Sequence, residues 1–217
     1  AILFLSATVA CFAEPRYRLE VIPVGGVGRQ AINNRGQIAG QLSWREGIFV
    51  DEAGHTQFDY DVVEVTGITE QGTMAGTYRP AGAYRALRRW TNGNIEDLGT
   101  LGGNMSTAYD INESNVVVGL ARNENNWSRA FMSVPGQALV DLGTLGGHSS
   151  WAYGINDSGQ VVGESYHDDT SVGGFIWEDG HMSPLLGFDG QPFNTEGSAI
   201  NSYGQVAGKA QFVVGGI

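Results

Sequence analysis

A ten-residue pattern recurs five times along the chain, and this repetition constrains the fold more than any other feature. Each copy contains an isoleucine, crosses a few small or polar residues, and ends in apolar residues followed by glycine. The isoleucines are separated by 36, 43, 44 and 45 residues, and a period near forty is typical of propeller blades and helical solenoids. The five copies are AINNRGQIAG (31–40), GITEQGTMAG (67–76), DINESNVVVG (110–119), GINDSGQVVG (154–163) and AINSYGQVAG (199–208).

Each copy is predicted to be a β-hairpin. Its short polar side chains can bond to nearby backbone amides and so start a turn. The next position needs a positive φ, which glycine, and less easily asparagine, adopts. This combination is typical of a type I turn with a glycine bulge between two antiparallel strands. The residues predicted at the positive-φ position are Gly36, Gly72, Asn115, Gly159 and Gly204.

Two further strands are predicted after each hairpin. In the fourth repeat they correspond to GGFIWEDGH (173–181) and HMSPLLG (181–187). Helical solenoids are excluded, because no segment carries apolar residues at helical spacing for more than two turns and glycine interrupts every candidate. Four short strands in about forty residues make one propeller blade, which must stack on neighbours to bury its faces.

The chain is therefore predicted to be an all-β, five-bladed β-propeller of four-stranded blades over residues 17–217. Residues 17–26 resemble the fourth strand of a repeat and its exit without the first three strands, and residues 210–216 resemble a third strand without the fourth. Pairing of 17–24 with 211–216 would close the ring and remove its exposed edges. The alternative is a fragment of a longer propeller array.

The first thirteen residues, AILFLSATVACFA, form an apolar run that is too short to span a bilayer. We interpret residues 1–13 as part of a signal peptide, with cleavage after Ala13. A lipoprotein modified at Cys11 and an N-terminal core strand are the alternatives. The protein is expected to be secreted or extracellular, with a periplasmic location as a further option.

Composition narrows the classes of partner. The net charge is −11, and Lys209 is the only lysine, so a phosphate-binding surface for nucleic acid is not expected. We interpret the local cluster of Arg85, Arg88 and Arg89 as a solvated strand face. Removal of Cys11 with the leader would leave no cysteine. The sequence predicts no metal site, no cofactor and no membrane span, and we expect a monomer. The histidines His55, His148, His167 and His181 are interpreted as solvated turn residues.

The motif DLGTLGG (97–103 and 141–147), together with GINDSGQVVG and GGFIW, resembles the HAF family of probable extracellular repeat proteins. The resemblance covers nearly the whole chain after the leader, although FDYDVVEV (58–65) replaces the leucine-glycine motif in the first repeat. The family implies export and repetition, and it implies no catalytic role.

Candidate binding residues come from the connections that vary between repeats, while the hairpin turns hardly vary. A rigid scaffold that presents variable loops is a common way to build a binding surface, and aromatic side chains beside polar ones suit sugars or peptides. The same rings could instead only cover the blade ends. The candidates are the aromatic residues Trp44, Tyr78, Trp127, Trp151 and Tyr166, with His167, Asp168 and Asp169 as polar neighbours.

The predicted function is a non-catalytic binding or structural module with a glycan or peptide ligand. The alternative is a glycoside hydrolase with carboxylates in the central opening, about 5–10 Å apart. Asp97 and Asp141 recur at matching places of the repeat, so we interpret them as scaffold residues that cap backbone amides in the next blade. No general acid, base or nucleophile stands out with an orienting partner.

Overall fold

The protein consists of antiparallel sheets that follow one another along the chain. In the described residues the helical structure is one short 3-10 turn, Pro80–Gly82. The structure is a computed structural model, and it describes residues 2–8, 16–22, 30–43, 46–51, 53, 56–60, 62–168, 171–187, 190–192 and 194–210.

Four sheets have four strands each, and two have two strands in the described part of the chain. An N-terminal hairpin pairs β1 (Ile2–Thr8) with β2 (Arg16–Ile22). Sheet I contains β3 (Gln30–Ile32), β4 (Ile38–Ser43), β5 (Glu46–Val50) and β6 (Thr56–Tyr60). Sheet II contains β7 (Val62–Ile68), β8 (Met74–Tyr78), β9 (Arg85–Arg89) and β10 (Ile95–Asp97). Sheet III contains β11 (Gly102–Ile111), β12 (Val117–Asn123), β13 (Ser128–Ser133) and β14 (Val140–Asp141). Sheet IV contains β15 (Ser150–Ile155), β16 (Val161–Tyr166), β17 (Val172–Glu178) and β18 (His181–Pro184), and sheet V contains β19 (Thr195–Ile200) and β20 (Val206–Ala210).

The five predicted hairpins are confirmed, since each repeat pattern joins the first two strands of its sheet. In the fourth copy the Asn156 amide donates to the Gln160 carbonyl at 3.1 Å, and the Gly159 amide donates back to the Asn156 carbonyl at 3.0 Å. The Asn156 side-chain oxygen accepts from two further amides of the turn. All five predicted positions have positive φ, namely Gly36 at 79°, Gly72 at 90°, Asn115 at 60°, Gly159 at 85° and Gly204 at 75°.

Neighbouring hairpin turns are joined to each other by hydrogen bonds, which we call the turn relay. The Asn33 amide group donates to the Thr69 carbonyl of the next turn at 2.8 Å. The side chains of Asn112 and Asn156 each donate in the same way to the carbonyl of Asn156 and Asn201, at 3.1 and 3.0 Å. The asparagine that starts each of these turns therefore also fixes the distance to the following sheet.

Acidic side chains extend the relay. Glu70 accepts from the Asn34 amide at 3.0 Å, and the Glu70 amide in turn donates to Glu113. The Glu113 amide donates to Asp157 at 2.9 Å. Each acid caps an amide that the preceding turn leaves without a partner inside its own hairpin, so the acids stabilise the stacking of the turns.

The apolar core is divided between neighbouring sheets. One cluster joins sheets II and III around Ala75, Val117 and Phe131, and another joins sheets III and IV around Val118 and Phe175. A third joins sheets I and II. Sheets II and III thus each pack against two neighbours, as the repeat predicted.

The interpretation of the arginine cluster as a solvated strand face is wrong for two of its members. Arg88 is fully buried and Arg89 is nearly so. The Arg88 guanidinium donates to the Ser133 carbonyl of sheet III at 2.7 Å and to Glu96 of its own sheet at 2.8 Å. The side chain therefore holds two sheets together, which the local sequence does not show because Ser133 is 45 residues away.

The two ends of the array are uncovered in the described structure. Ile32 is 54% exposed, while the equivalent Ile111 and Ile155 are 8% and 5% exposed. At the other end Gly208 is exposed, whereas the equivalent Gly163 is buried. The predicted closing pair involves residues 211–216, which lie outside the described residues, and β2 is paired with β1. Among the described residues, no helix has the length and apolar character that a membrane crossing requires.

Candidate functional site

The candidate site lies at the end of the sheets opposite the turn relay. Because the strands are antiparallel, the connection from the second to the third strand of each sheet emerges at the same end as the connection from one sheet to the next. Around sheets III and IV these connections are residues 124–127, 142–149 and 167–171. Most of the predicted binding residues fall in or beside them.

Four rings in or next to these connections form a continuous row, which we call the aromatic row. Trp127 and His148 have ring centroids 4.9 Å apart, and His148 and Tyr166 are 5.6 Å apart. Trp151 extends the row beyond Tyr166 at 5.9 Å. Trp127 is 45% exposed, and the other three rings are half-buried. The row presents polarisable ring surface to solvent from two neighbouring sheets.

Trp127 is held by a turn of the same kind as the repeated hairpins. The Asn123 amide donates to the Trp127 carbonyl at 3.1 Å, and the Trp127 amide donates to the Asn123 side-chain oxygen at 3.1 Å. Asn126 takes the positive-φ position at 64°. The loop that carries the most exposed ring is therefore ordered by its own backbone and side-chain bonds.

His148 and Tyr166 are held by pairing between the inter-sheet connection and the end of β16. The Gly147 amide donates to the Tyr166 carbonyl, and the Tyr166 amide donates to the Ser149 carbonyl, both at 2.9 Å. A side chain at Gly147 would collide with Tyr166 and lie 2.9 Å from the Asp168 carbonyl oxygen. The interpretation of His148 as a solvated turn residue is wrong, because its imidazole lies between two aromatic rings.

The buried hydroxyl of Ser150, the residue before Trp151 in β15, joins sheets III and IV. The Ser150 hydroxyl accepts from the Ala130 amide at 2.9 Å and donates to the Gly143 carbonyl at 2.6 Å. Ser106 makes the equivalent pair of bonds one repeat earlier. Sequence reasoning missed these residues, although each hydroxyl stands five residues before a repeat isoleucine and could have been found by that spacing.

The other predicted site residues have different outcomes. Tyr78 lies on sheet II, packs against the apolar core and bonds to Asp97; burial and that bond raise the pKa of Tyr78 to about 12. Asp168 accepts from the Ser171 amide at 2.7 Å, and the His167 amide donates to the Ser171 carbonyl at 2.9 Å, so both shape the loop beside Tyr166. Trp44 and Asp169 lie outside the described residues.

The repeated aspartates act within their own sheets. Asp97 accepts from the Gly99 amide at 2.8 Å, and Asp141 accepts from the Gly143 amide at 2.9 Å and from Arg129 at 3.1 Å. The scaffold role is as predicted, but the expectation that they cap the next blade is wrong. Each aspartate lies on the fourth strand of its sheet. Neighbouring sheets contact each other mainly through the first strand of the later sheet, which is distant from these fourth strands.

A polar cleft opens between sheets IV and V. Tyr153 donates to Glu164 at 2.6 Å, and Lys209 donates to Glu196 at 2.9 Å. Burial and the bond to Glu164 raise the pKa of Tyr153, and the bond from Lys209 lowers the pKa of Glu196. A cavity of about 400 Å³ is lined by Glu164, Val172, Asn194, Thr195, Glu196, Lys209 and Ala210. In the described part of the chain no three acidic, histidine or cysteine residues are grouped as metal ligands.

Comparison with known proteins supports the fold and leaves the function open. No family model matches the chain, and no curated protein matches it. The crystal structure of TolB from Acinetobacter baumannii is similar, with a TM-score of 0.53 and 14% sequence identity. The similarity covers 71% of this chain and 41% of the TolB chain, so the chain spans less than half the length of that protein. At this identity the likeness concerns the fold alone, and it supports an all-β, propeller-like arrangement of sheets.

Proposed function

We propose that this protein is a non-catalytic binding module and that its ligand is a glycan held on the aromatic row. The observation that carries the proposal is the row itself. Three of the five aromatic residues that the variable connections single out are joined there, together with His148. The remaining sequence of these connections differs between repeats, as expected for residues that serve recognition.

The chemistry of the row fits a sugar. The apolar faces of a pyranose stack on exposed aromatic rings, and a half-exposed indole provides such a surface without rearrangement. Polar groups stand beside it, including Asn126 next to Trp127 and Asp168 next to Tyr166. These can exchange hydrogen bonds with hydroxyl groups. The order of the Trp127 turn reduces the entropy that binding would otherwise cost.

A hydrolase is the less favoured function. A glycosidase needs one protonated and one ionised carboxyl group on either side of the scissile bond. Asp97 and Asp141 are engaged in their own outer strands. In the polar cleft the pKa of Glu196 is lowered by Lys209, so this group remains ionised and does not serve as the acid.

We also propose that the two uncovered ends of the array cover each other and close five blades into a ring. The exposure of Ile32 and of Gly208, relative to their buried equivalents, supports this. A short cross-linker between cysteines placed at Ile32 and Ala207, in a Cys11→Ser background, should react within one molecule. Cross-links between molecules only, or none, would indicate a longer array instead.

We further propose that the protein is exported and belongs with the HAF repeat proteins that its DLGTLGG motifs resemble. Residues 2–8 of the apolar leader pair with β2 in the described structure. Mass spectrometry of the mature protein should give an N-terminus after Ala13. Retention of residues 1–13 in a cytoplasmic fraction would contradict export.

The binding proposal is tested on a glycan and peptide array with the purified protein. Binding to one or more glycans is expected, and Trp127→Ala should weaken it at least about tenfold, because it removes the most exposed ring of the row. Tyr166→Ala should have a similar effect. The matched control is Tyr203→Ala, which removes an 87% exposed ring from a hairpin turn at the opposite end of the sheets.

Three results would contradict the proposal. Binding that survives both row substitutions would exclude the row as the site. Binding to peptides only would show that the ligand is a peptide and not a glycan. Shortened glycans among the products would show that the protein is an enzyme.

A further inference from the structure

We infer that the glycan bound by the aromatic row carries a positively charged amine, as an amino sugar does, and that the carboxylates of the polar cleft receive it. The inference deepens the proposed function and rests on it. Three observations support it: the cleft adjoins the row, the cleft is negatively charged, and the Lys209 ammonium group already occupies part of it.

The cleft is continuous with the row. Trp151 on β15 and Glu164 on β16 are direct partners in the strand register. Side chains of such a pair point to the same face of a sheet, with Cβ atoms about 5 Å apart. Tyr166 stands two residues beyond Glu164 on that face and contacts Trp151. A sugar on Trp151 therefore has Glu164 beside it, on the side that opens toward sheet V.

The cleft is suited to a cation. It brings two carboxylates, Glu164 and Glu196, into one cavity of about 400 Å³, which is within the size range of small-ligand sites. Tyr153 donates its hydroxyl to Glu164 and remains neutral, since its pKa is raised. One ammonium group in the lining, that of Lys209, bonds to Glu196. The cleft thus keeps a net negative charge, which attracts amines and repels uronic acids.

Lys209 shows what kind of group the cleft accepts. Its ammonium nitrogen lies 2.9 Å from the Glu196 carboxylate while the side chain is 77% exposed. A salt bridge this exposed contributes little to stability, so the lysine can leave the cleft without a large cost. Tyr153 bonds to one oxygen of Glu164, and no hydrogen bond from another described residue reaches the second oxygen. An amine of the glycan would therefore bind at Glu164 and share the cleft with the Lys209 ammonium group.

Three glycans of equal length but different charge distinguish the effect of ligand charge from the effect of ring stacking. Calorimetric titration at low salt, near pH 6, would compare tetramers of glucosamine, N-acetylglucosamine and galacturonic acid. The glucosamine tetramer should bind at least about tenfold more tightly than the N-acetylated one, and the galacturonate should bind most weakly. Raising the salt concentration should reduce the difference in affinity between the glucosamine and N-acetylglucosamine tetramers, because exposed charges are screened.

Substitutions in the polar cleft test whether the preference for glucosamine arises there. Glu164→Gln should weaken glucosamine binding about fivefold to tenfold and N-acetylglucosamine binding much less, so that the preference for glucosamine is lost. Lys209→Ala should strengthen glucosamine binding, since it removes a competing cation. The matched control is Glu178→Gln, which neutralises a carboxylate bonded to Gln160 at the turn end of sheet IV and should change neither affinity.

Different results would overturn the binding module and its preference for a glycan amine. Equal binding of the three tetramers, still lost in Trp127→Ala, would overturn the amine inference and leave the binding module standing. A preference for glucosamine that persists in Glu164→Gln would overturn the assignment to the cleft. If none of the three glycans binds, and none on the array does, both proposals fail together.

Discussion

Replacing Gly163 by alanine tests how the last residue of the repeat pattern constrains the fold. This glycine faces a β-bulge in β15, where the register shifts between Ala152 and Gly154. An added Cβ would overlap the Trp151 carbonyl oxygen and lie 2.9 Å from a ring carbon of Phe175. The oxygen belongs to the backbone and cannot rotate away, so β15 and β16 would have to separate. Gly76, Gly119 and Gly208 face the same obstacle in their own sheets.

The expected cost follows from these contacts. Overfilling a close-packed site costs about 1–3 kcal/mol. Separation of the strands also weakens the flanking backbone hydrogen bonds, at about 1 kcal/mol each. Gly163→Ala should therefore destabilise the protein by about 3–4 kcal/mol, which is about 10 °C in Tm for a domain of this size. Because Gly163 lies between Phe175 and the β15 backbone, no alternative packing of β16 avoids the clash.

The assay is thermal and urea unfolding followed by circular dichroism, with Gly159 as the matched position. Gly159 has nothing within 4 Å of its added Cβ but a φ of 85°, so Gly159→Ala should cost only about 1 kcal/mol. Gly159→Val should cost more than about 1 kcal/mol, because branching at Cβ resists positive φ. Gly159→Asn should cost least, since Asn115 occupies the equivalent position. A smaller loss for Gly163→Ala than for Gly159→Ala would refute the reasoning.

Two further changes test buried charges. Burial raises the pKa of Asp110 from 3.8 to about 6, so its contribution to stability is complete below pH 4 and is lost as the pH rises through 6. Asp110→Asn should remove this pH dependence, so that relative to the variant the natural protein loses up to about 3 kcal/mol between pH 4 and pH 8, measured by urea unfolding; a difference between the two proteins that is equal at both pH values would exclude this cause. Arg88→Met should destabilise by about 2–3 kcal/mol, because it removes the bonds that the buried guanidinium donates to the Ser133 carbonyl and to Glu96, whereas the exposed Arg79→Met should be nearly neutral in the same assay.

The repeated turns could be predicted from the sequence because their cause is local. Whether residue 159 needs positive φ depends on the neighbours that start the turn, and these neighbours are adjacent in the chain. Asn115 supports this, since it breaks the glycine pattern and still adopts 60°. The strand pairs that follow from the turns could be predicted for the same reason.

Features that depend on a neighbouring strand or sheet could not be predicted. The glycine at 163 recurs in all five copies, more regularly than the one at 159, but its cause is a carbonyl group of another strand. Arg88 looked solvated because its partner Ser133 is 45 residues away, on the next sheet. A sequence pattern records that a residue recurs, and does not show which atoms lie against it.

The candidate site was predicted in part. Trp127, Trp151 and Tyr166 were chosen because the connections that carry them vary, and they share one row. His148 was misjudged, since its place in the row depends on the path between two sheets. Tyr78 was chosen by the same reasoning as Trp127, yet it packs against the core of sheet II, because aromatic side chains at a strand end serve either role.

The turn relay has a consequence for how such a chain can arise and fold. Its bonds join residues 36, 43, 44 and 45 positions apart, so each of them links a sheet to the next one along the chain. A nascent chain can thus complete its sheets in the order of synthesis. Internal duplication of one such unit would add a sheet with its donors and acceptors already in place. The far ends of the strands take no part in the relay, and the copies can diverge there without losing their stacking.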